Sequence, residues 1–210
     1  MTYVVFDLES IPLPIPEEAI AEKRLALSQE YKKDETIEAH LLAWKDKFKF
    51  KPEGAKPIAI GMQIIGHKAT SEPMGIQSDD ESEIARFFVE TIDTFSGSKI
   101  VGYNILGYDL PLICRSLFKS DLKLNYRIGK WAKIDLMQEP FGRGFDQTGG
   151  FKRLCRTYGV KLSGQDGSMV DALWAEDQEN GTKKVLEYCL DDVRGCGELF
   201  MKFQRFFDFG

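Results

Sequence analysis

Two acidic residues at the end of the first apolar segment could form a cation site. The run from Thr2 to Leu8 is largely apolar and β-prone, which is typical of a strand buried on both faces. Asp7 and Glu9 lie two positions apart, so in a strand both carboxylates project to one face while Leu8 projects to the other. Two such charges repel each other unless a divalent cation neutralises them, and oxygen donors suit Mg²⁺ or Mn²⁺ better than Zn²⁺. Acidic pairs are common at strand ends, so the pair alone is a weak signal.

The last helix is predicted to carry another carboxylate inside its apolar face. At about 100° per residue, the buried stripe consists of Val185, Cys189, Cys196, Leu199 and Phe203. Asp192 lies about 20° from Val185 within this stripe, Tyr188 precedes it by one turn, and Asp191 is turned about 100° away toward water. An unpaired buried carboxylate costs several kcal/mol, so Asp192 requires a cation, a hydrogen-bond network or a raised pKa.

A further carboxylate, Asp109, follows the segment that links a predicted strand to a predicted helix. Asp109 stands two residues before Pro111, a spacing that is typical of a helix N-terminus capped by a carboxylate. The sequence leaves two interpretations open, a helix cap and a member of an acidic cleft. Asp135, Asp166 and Asp171 are interpreted as structural.

The elements that must position these residues follow the order of a mixed α/β sheet. Strands are predicted at Thr2–Leu8, Pro57–Ile65, between Gly66 and Gln77, and at Lys99–Gly102. Helices are predicted between Ser78 and Gly97 and at Leu110–Phe118, Phe151–Tyr158 and Lys183–Phe207. We expect the first strand to be central and a ligand to bind at the carboxyl ends of the strands.

The length of 210 residues predicts a single domain spanning residues 1–210. Between the first two strands, residues 12–51 form a predicted helical insertion, in which Glu17 to Phe48 carries one or two amphipathic helices.

Composition excludes several classes of protein. Four cysteines without a C-x-x-C pair predict reduced thiols rather than disulfides or a zinc site, and two histidines leave little for histidine chemistry. No basic leader precedes Asp7, and no apolar run reaches the roughly 18 residues of a membrane span. We therefore expect a cytoplasmic protein that does not cross a membrane.

The net charge of -5 conceals a basic segment. Residues 115–161 carry 11 Lys and Arg against 4 Asp and Glu, which could form a local phosphate-binding face or a solvated basic face. The residues predicted to follow the phosphates are Arg115, Lys119, Lys123, Arg127, Lys130 and Lys133, with Tyr126 and Trp131 available for base stacking.

Taken together, three ordered segments resemble the three exonuclease motifs of the DEDDy 3′-to-5′ exonucleases. The segments are Phe6-Asp7-Leu8-Glu9, Gly102-Tyr103-Asn104 with Tyr108-Asp109-Leu110-Pro111, and Tyr188-Cys189-Leu190-Asp191-Asp192. They are especially similar to those of the proofreading domain of family-B DNA polymerases and its stand-alone relatives. The absence of histidine from 183–210 agrees with the tyrosine-bearing branch.

This resemblance implies a ribonuclease H-like fold with a mixed five-stranded sheet flanked by helices. It implies that Asp7, Glu9, Asp109 and Asp192 bind two divalent cations, Mg²⁺ or Mn²⁺, and that Tyr188 is a catalytic residue that orients a metal-bound water. Leu8 and Asn104 would bind substrate, with the Leu8 N–H meeting the 3′ hydroxyl.

The predicted reaction is 3′-to-5′ hydrolysis of single-stranded DNA to nucleoside 5′-monophosphates, in proofreading or repair. An exoribonuclease and a non-catalytic nucleic-acid-binding module of the same fold remain the alternatives. A separate polymerase or a sliding clamp is a weaker prediction, because Gln204–Phe209 resembles clamp-binding peptides but also fits the last turn of a helix.

Overall fold

The computed structural model describes residues 1–48, 51–125, 133–138, 150–163, 167–176 and 180–206. The strands are β1 (Tyr3–Pro12), β2 (Ala55–Ile65), β3 (Met74–Gln77), β4 (Lys99–Gly102) and β5 (Lys133–Asp135). The helices are α1 (Glu17–Glu30), α2 (Asp34–Phe48), α3 (Glu81–Thr94), α4 (Asp109–Lys119), α5 (Gly150–Thr157), α6 (Val170–Glu176) and α7 (Asn180–Phe203), with 3₁₀ turns at Pro52–Gly54 and Gly167–Met169.

Within the described residues, the strands form one five-stranded sheet in the order β3-β2-β1-β4-β5. The β1–β2 and β2–β3 pairs are antiparallel, whereas the β1–β4 and β4–β5 pairs are parallel. The sheet is therefore mixed, and the predicted central position of the first strand is confirmed. The sequence analysis located no strand at Lys133–Asp135, because a three-residue strand is too short to show an alternating pattern.

Helices cover both faces of the sheet, which explains why side chains on both faces of β1, Val4, Phe6 and Leu8 on one and Val5 on the other, are buried. One face packs Val4, Phe6 and Leu8 against α3 and α4. The other packs Val5 against α7, whose Val193, Cys196 and Phe200 belong to the same cluster. The apolar stripe predicted for α7 is confirmed, since its five members are all buried.

The segment between β1 and β2 forms the helical pair α1 and α2, so the helices predicted there are present. This pair has a small apolar core of its own, made by Leu27, Ile37 and Leu41. The division of the chain into one domain with an insertion at 12–51 stays a prediction.

Arg115 on α4 ties the end of this helical pair to the sheet. Its guanidinium donates to the carbonyl oxygens of Pro52 and Ala55 and contacts Glu81 on α3 at 3.1 Å. Lys119 also contacts Glu81, at 3.3 Å. The prediction that Arg115 follows a phosphate backbone is therefore wrong, because its guanidinium is engaged by the fold. For Lys119, whose side chain is 51% exposed, it stays a prediction.

Other sequence predictions lie partly outside the described residues. Tyr126, Arg127, Lys130 and Trp131 belong to this group, as do Asp166 and most of the glycine-rich loop at 142–150. The helix α7 ends at Phe203, and 207–209 of the clamp-like segment lie outside the described residues, so that partner stays a prediction.

Two further expectations concern cysteines and the membrane. The four cysteines are free thiols, as predicted. Among the described residues, no helix has both the length and the apolar content needed to cross a bilayer.

Replacement of Arg115 by methionine should lower the free energy of unfolding by about 2–3 kcal/mol, because two carbonyl groups and Glu81 lose a largely buried charged donor. The measurement is urea denaturation followed by tryptophan fluorescence. Lys119→Met is the matched control, since this lysine pairs with the same Glu81 but its side chain is 51% exposed, and it should cost less than about 1 kcal/mol. Equal losses of unfolding free energy in the two variants would contradict the stabilising role of the Arg115 contacts.

Candidate active site

A close approach of α7 to the sheet brings the predicted site residues together. Gly61 on β2 pairs with Asp7, and a Cβ atom at Gly61 would stand 2.8 Å from Val193 and 3.2 Å from Cys189 Sγ. Only glycine fits at this point, so α7 rests directly on the backbone of β2. As a result, Tyr188 and Asp192 face the carboxylates of β1.

Asp7 and Glu9 form the acidic centre of the site. Their side chains are hydrogen-bonded to each other, and a bulge in the β1–β2 pairing follows Glu9 directly. Burial, then the charges of Glu9, Asp109 and Asp192, raise the pKa of Asp7 well above its ordinary value. Burial and the charges of Asp192 and Asp109 raise the pKa of Glu9 in the same way. The four carboxyl groups are thus close enough to oppose one another's ionisation.

Asp109 reaches this centre from the opposite side of β1. The parallel pairing of β1 with β4 ends at Val5, so the Leu8 N–H has no β4 partner and donates to the Asp109 carboxylate instead. Burial raises the pKa of Asp109 to about 7, although this hydrogen bond and one from its own N–H lower it.

This arrangement bears on two sequence interpretations. Asp109 does not cap α4, because the N-cap position is Tyr108 and no side chain caps the helix there. The prediction that the Leu8 N–H meets a 3′ hydroxyl stays a prediction, and in this structure that N–H donates to Asp109.

Asp192 and Tyr188 complete the set from α7. Asp192 is 9% exposed, and its Oδ1 is buried without a hydrogen-bond partner. Burial raises the pKa of Asp192 to about 6, while a hydrogen bond from Tyr188 and the charge of Lys152 lower it. Burial and the charges of Asp192 and Glu9 raise the pKa of Tyr188 well above its ordinary value, so its phenol stays protonated at neutral pH.

Lys152 on α5 is a functional candidate that the sequence analysis missed. Its Nζ is buried, has no hydrogen-bond partner in the described part of the chain, and lies 4.8 Å from the centroid of the Tyr188 ring. Its charge lowers the pKa of both Glu9 and Asp192. The position three residues before the buried Cys155 places Lys152 beside the apolar face of α5, which is the signal that could have found it.

The donor atoms at this site fit divalent cations. One ligand atom each from Asp7, Glu9 and Cys189 lie within 4.8 Å of one another. The unpartnered Oδ1 of Asp192 and the raised pKa values of the surrounding carboxyls both indicate a concentration of negative charge that a cation would neutralise. Asp7 and Glu9 would hold such an ion, and Asp192 and Asp109 are near enough to assist.

Asn104 lies in the loop that leads from β4 to α4, and Asp135 fixes the backbone of this loop. Asn104 adopts φ 60°, a left-handed conformation that asparagine tolerates better than most residues. The Asp135 carboxylate, 1% exposed, accepts hydrogen bonds from the backbone N–H groups of Asn104, Leu106 and Met137 and from the Gln138 side chain. The structural interpretation of Asp135 is confirmed.

A pocket of about 370 Å³ opens beside Glu9. It is lined by Leu8, Glu9, Ser10, Pro12, Tyr108, Gly167, Ser168 and Asp171. Leu8 therefore borders the pocket while it also packs in the core, and Ser10 Oγ and the Tyr108 hydroxyl are hydrogen-bonded at 2.7 Å. Asn104 is not among the described residues that line this pocket. Gly167 lies so close to Tyr188 that a Cβ atom would stand 3.2 Å from the phenol oxygen.

Comparison with known proteins identifies the fold. The sequence model of the RNase H superfamily matches residues 51–204. No curated protein sequence matches the chain significantly. A family B DNA polymerase from the hyperthermophilic archaeon Pyrobaculum calidifontis matches with a TM-score of 0.64 and 16% identity, over 97% of this chain and 24% of the polymerase.

Two exonuclease I structures also match. The enzyme from Methylocaldum szegediense has a TM-score of 0.48 and 14% identity, over 98% of this chain and 41% of that one. Exonuclease I from E. coli, in complex with a 5cy-dA13 oligonucleotide, has a TM-score of 0.45 and 11% identity, over 95% of this chain and 39% of that one. This chain thus spans under half the length of these proteins. The predicted ribonuclease H-like fold is confirmed, as is the resemblance to the exonuclease domain of family-B polymerases at the level of fold.

The raised carboxyl pKa values predict that the metal-free protein becomes less stable as the pH rises. The unfolded chain loses these protons near pH 4, whereas Asp192 and Asp109 hold theirs up to about pH 6 and about pH 7. Between about pH 4 and pH 8 the free energy of unfolding should therefore fall by a few kcal/mol more in the wild type than in an Asp109→Asn, Asp192→Asn double variant. Urea denaturation in the presence of a chelator measures this difference. If the free energy of unfolding depended on pH identically in the two proteins, the mutual repulsion of these carboxyl groups would be contradicted.

Proposed function

Since the chain belongs to the RNase H superfamily, we propose that it is a metal-dependent 3′-to-5′ exonuclease that hydrolyses single-stranded DNA to nucleoside 5′-monophosphates. The observation that carries the proposal is the convergence of Asp7, Glu9, Asp109 and Asp192 from β1, α4 and α7, at the end of the central strand. Structural carboxylates are ordinarily paired with cations or N–H groups, whereas these mainly oppose one another.

Two divalent cations, Mg²⁺ or Mn²⁺, would supply the acidified water and stabilise the charge on the phosphate and on the leaving oxygen. The Asp7 carboxylate, whose pKa is raised by burial and by the charges of the other three, would hold the ions together with Glu9, Asp192 and Asp109, the last directly or through water. The protein thereby replaces the hydration of the ions with fixed carboxylates and needs little rearrangement during the reaction.

Tyr188 and Lys152 would position the attacking water and balance charge. The Tyr188 phenol is a proton donor at neutral pH, and its hydrogen bond to Asp192 fixes its direction. A protonated phenol cannot accept the proton of the water, so its role is to orient that water. The Lys152 ammonium, next to the Tyr188 ring, would stabilise the negative charge that grows on the phosphate.

The pocket beside Glu9 would hold the terminal nucleoside. Leu8 and Tyr108 offer apolar surface to a base, while Ser10, Ser168 and Asp171 offer hydrogen-bonding groups to the sugar. A pocket of this size beside the carboxylates would admit the terminal nucleoside of a strand, as an end-directed enzyme requires.

RNA is the second candidate substrate, because the hydroxyl groups of Ser10 and Tyr108 could also bond a 2′ hydroxyl. DNA is proposed first because the three motifs resemble those of DNA-proofreading exonucleases. A non-catalytic binding module is the third candidate. It is disfavoured because a protein that only binds nucleic acid gains nothing from crowded carboxylates, which repel phosphates.

The decisive experiment uses 5′-labelled single-stranded DNA and its RNA counterpart with Mg²⁺ or Mn²⁺. The expected product is a ladder that shortens from the 3′ end of the DNA, and Asp7→Asn should reduce the rate by at least about 10³-fold. Glu90→Gln, at an exposed position on α3, is the matched charge-removal control and should retain the rate. Internal fragments would indicate an endonuclease, and the absence of cleavage of both substrates would favour the binding module.

Replacement of Lys152 by methionine should lower kcat by about 10–10³-fold, because it removes the only cation seen to lower the pKa of Glu9 and Asp192 among the described residues. The loss of that charge raises both carboxyl pKa values, so the acidic limb of the pH–rate profile should move to higher pH. Lys161→Met removes an exposed lysine beyond α5 and should leave the profile in place. An unshifted acidic limb in Lys152→Met would show that the lysine does not act on the carboxylates.

A further inference from the structure

Cys189 gives the candidate site a sulfur donor that the proposed mechanism does not use. Its Sγ lies 3.9 Å from Asp7 Oδ2 and belongs to the group of ligand atoms, with Asp7 and Glu9, that lie within 4.8 Å of one another. For zinc, with bonds of about 2.3 Å to sulfur and about 2.1 Å to oxygen, the tetrahedral sulfur–oxygen separation is about 3.6 Å. The observed separation is therefore close to the one that a shared zinc ion requires.

Packing explains a small apolar residue at position 189, because Cys189 belongs to the buried cluster of Ile58 and Val185. The position of its sulfur beside the Asp7 carboxylate is the additional feature. The side chain fits against Gly61, where a Cβ atom would be 3.2 Å from Sγ. The thiol also lies 3.5 Å from the Asp7 carbonyl oxygen, a contact that a serine hydroxyl could make more strongly than a thiol.

A second group on α7 supports a ligand at this point. Asp192 follows Cys189 by three residues, so the two side chains are neighbours on one face of the helix. Asp192 is 9% exposed and its Oδ1 has no hydrogen-bond partner. The site thus combines one sulfur and several oxygen donors, one of which is buried and unsatisfied.

We propose that Cys189, with Asp7 and Glu9, makes this site a binding site for thiophilic divalent cations, of which Zn²⁺ is the physiological example, and that such an ion inhibits the enzyme. Its consequence for hydrolysis rests on the proposed exonuclease function, whereas the binding itself does not. On binding, the sulfur–zinc bond forms as the S–H bond breaks, and the proton leaves to water.

Hard and soft cations would use the site differently. Mg²⁺ requires six oxygen donors, keeps several waters and has little affinity for sulfur, so Cys189 remains a bystander when Mg²⁺ is bound. Zn²⁺ is satisfied by four ligands, and three protein groups would leave it one open position. Held by Cys189, Asp7 and Glu9, it would occupy carboxylates that the proposed mechanism assigns to Mg²⁺. Zn²⁺ would also exceed Mg²⁺ in affinity, because it accepts the thiolate.

The test uses Cd²⁺, which resembles Zn²⁺ in its preference for sulfur and shows an ultraviolet thiolate-to-metal charge-transfer band. All proteins carry Cys114→Ser, because Cys114 is the exposed cysteine and would contribute a background signal. We expect one equivalent of Cd²⁺ to give the band in this parent protein and in its Cys196→Ala derivative, and Zn²⁺ to abolish it by competition. Cys196 is the matched control because it is a buried cysteine on the same helix. The Cys189→Ala derivative should give no band.

Inhibition is measured separately, with each variant compared with its own rate in Mg²⁺ alone. The Zn²⁺ concentration for half-inhibition should rise at least about 10-fold in Cys189→Ala and in Cys189→Ser relative to the parent, a change of about 1.4 kcal/mol in binding. Thermal denaturation of the metal-free variants checks that each is folded, and the serine variant replaces the alanine variant if the latter is not.

The outcomes separate this proposal from the proposed function. A band that is absent from the parent, or that persists in Cys189→Ala, overturns the thiophilic site even if Mg²⁺-dependent hydrolysis occurs. Equal Zn²⁺ sensitivity in parent and Cys189 variants overturns its inhibitory role. A Cd²⁺ band that depends on Cys189 in a protein without nuclease activity supports the metal site and overturns the exonuclease instead.

Discussion

The mutual repulsion of four carboxyl groups, two of them buried and two half-buried, is the constraint to which the rest of the site is adapted. Asp7, Glu9, Asp109 and Asp192 each lose hydration on burial, and each of their charges makes another harder to form. In water, four such carboxyl groups would either move apart or remain protonated. The fold holds the four groups together because they lie on β1, α4 and α7, which pack against one another. None of these elements can move away and relieve the repulsion by itself. The Leu8 N–H, the Tyr188 hydroxyl and the Lys152 ammonium compensate only part of the charge.

Backbone geometry, more than side-chain bonding, brings the cluster together. The parallel partner of β1 stops at Val5, which frees the edge of the strand for Asp109. On the other side, the missing Cβ atom of Gly61 lets α7 approach within contact of the sheet. A bulge after Glu9 then ends the regular pairing. The site lies where these irregularities coincide, at the end of the central strand, as open α/β sheets ordinarily place their ligands.

The sequence predicts the site better than it predicts the surroundings, and periodicity explains the difference. Strand alternation places Asp7 and Glu9 on one face, and helical spacing places Asp192 inside the stripe of α7, so both features are local and readable. The role of Asp109 is not local, because its partner is the Leu8 N–H, 101 positions earlier in the chain. The spacing of Asp109 and Pro111 suggested a helix cap, whereas in the structure Asp109 accepts a hydrogen bond from the distant Leu8 N–H.

The same limit applies to the basic residues and to β5. Charge counting cannot tell that Arg115 is used to hold the carbonyl groups before β2, while the lysine that does reach the site, Lys152, comes from a different helix. The strand β5 is three residues long, so its pairing with β4 leaves no pattern in the sequence. The sequence thus predicted the acidic and aromatic residues of the site. It did not predict the tertiary contacts that position them.

The Asp135 carboxylate has an energetic consequence for the loop that carries Asn104. Three backbone N–H groups and one amide side chain are anchored to a single buried acceptor, which leaves Asn104 in a left-handed conformation without further support from a ligand. The entropy of ordering this loop is therefore lost when the chain folds. Under the proposed function, an incoming strand would meet a preorganised surface, so each binding event would be spared that loss, an advantage that would recur every time a polymer end is re-engaged.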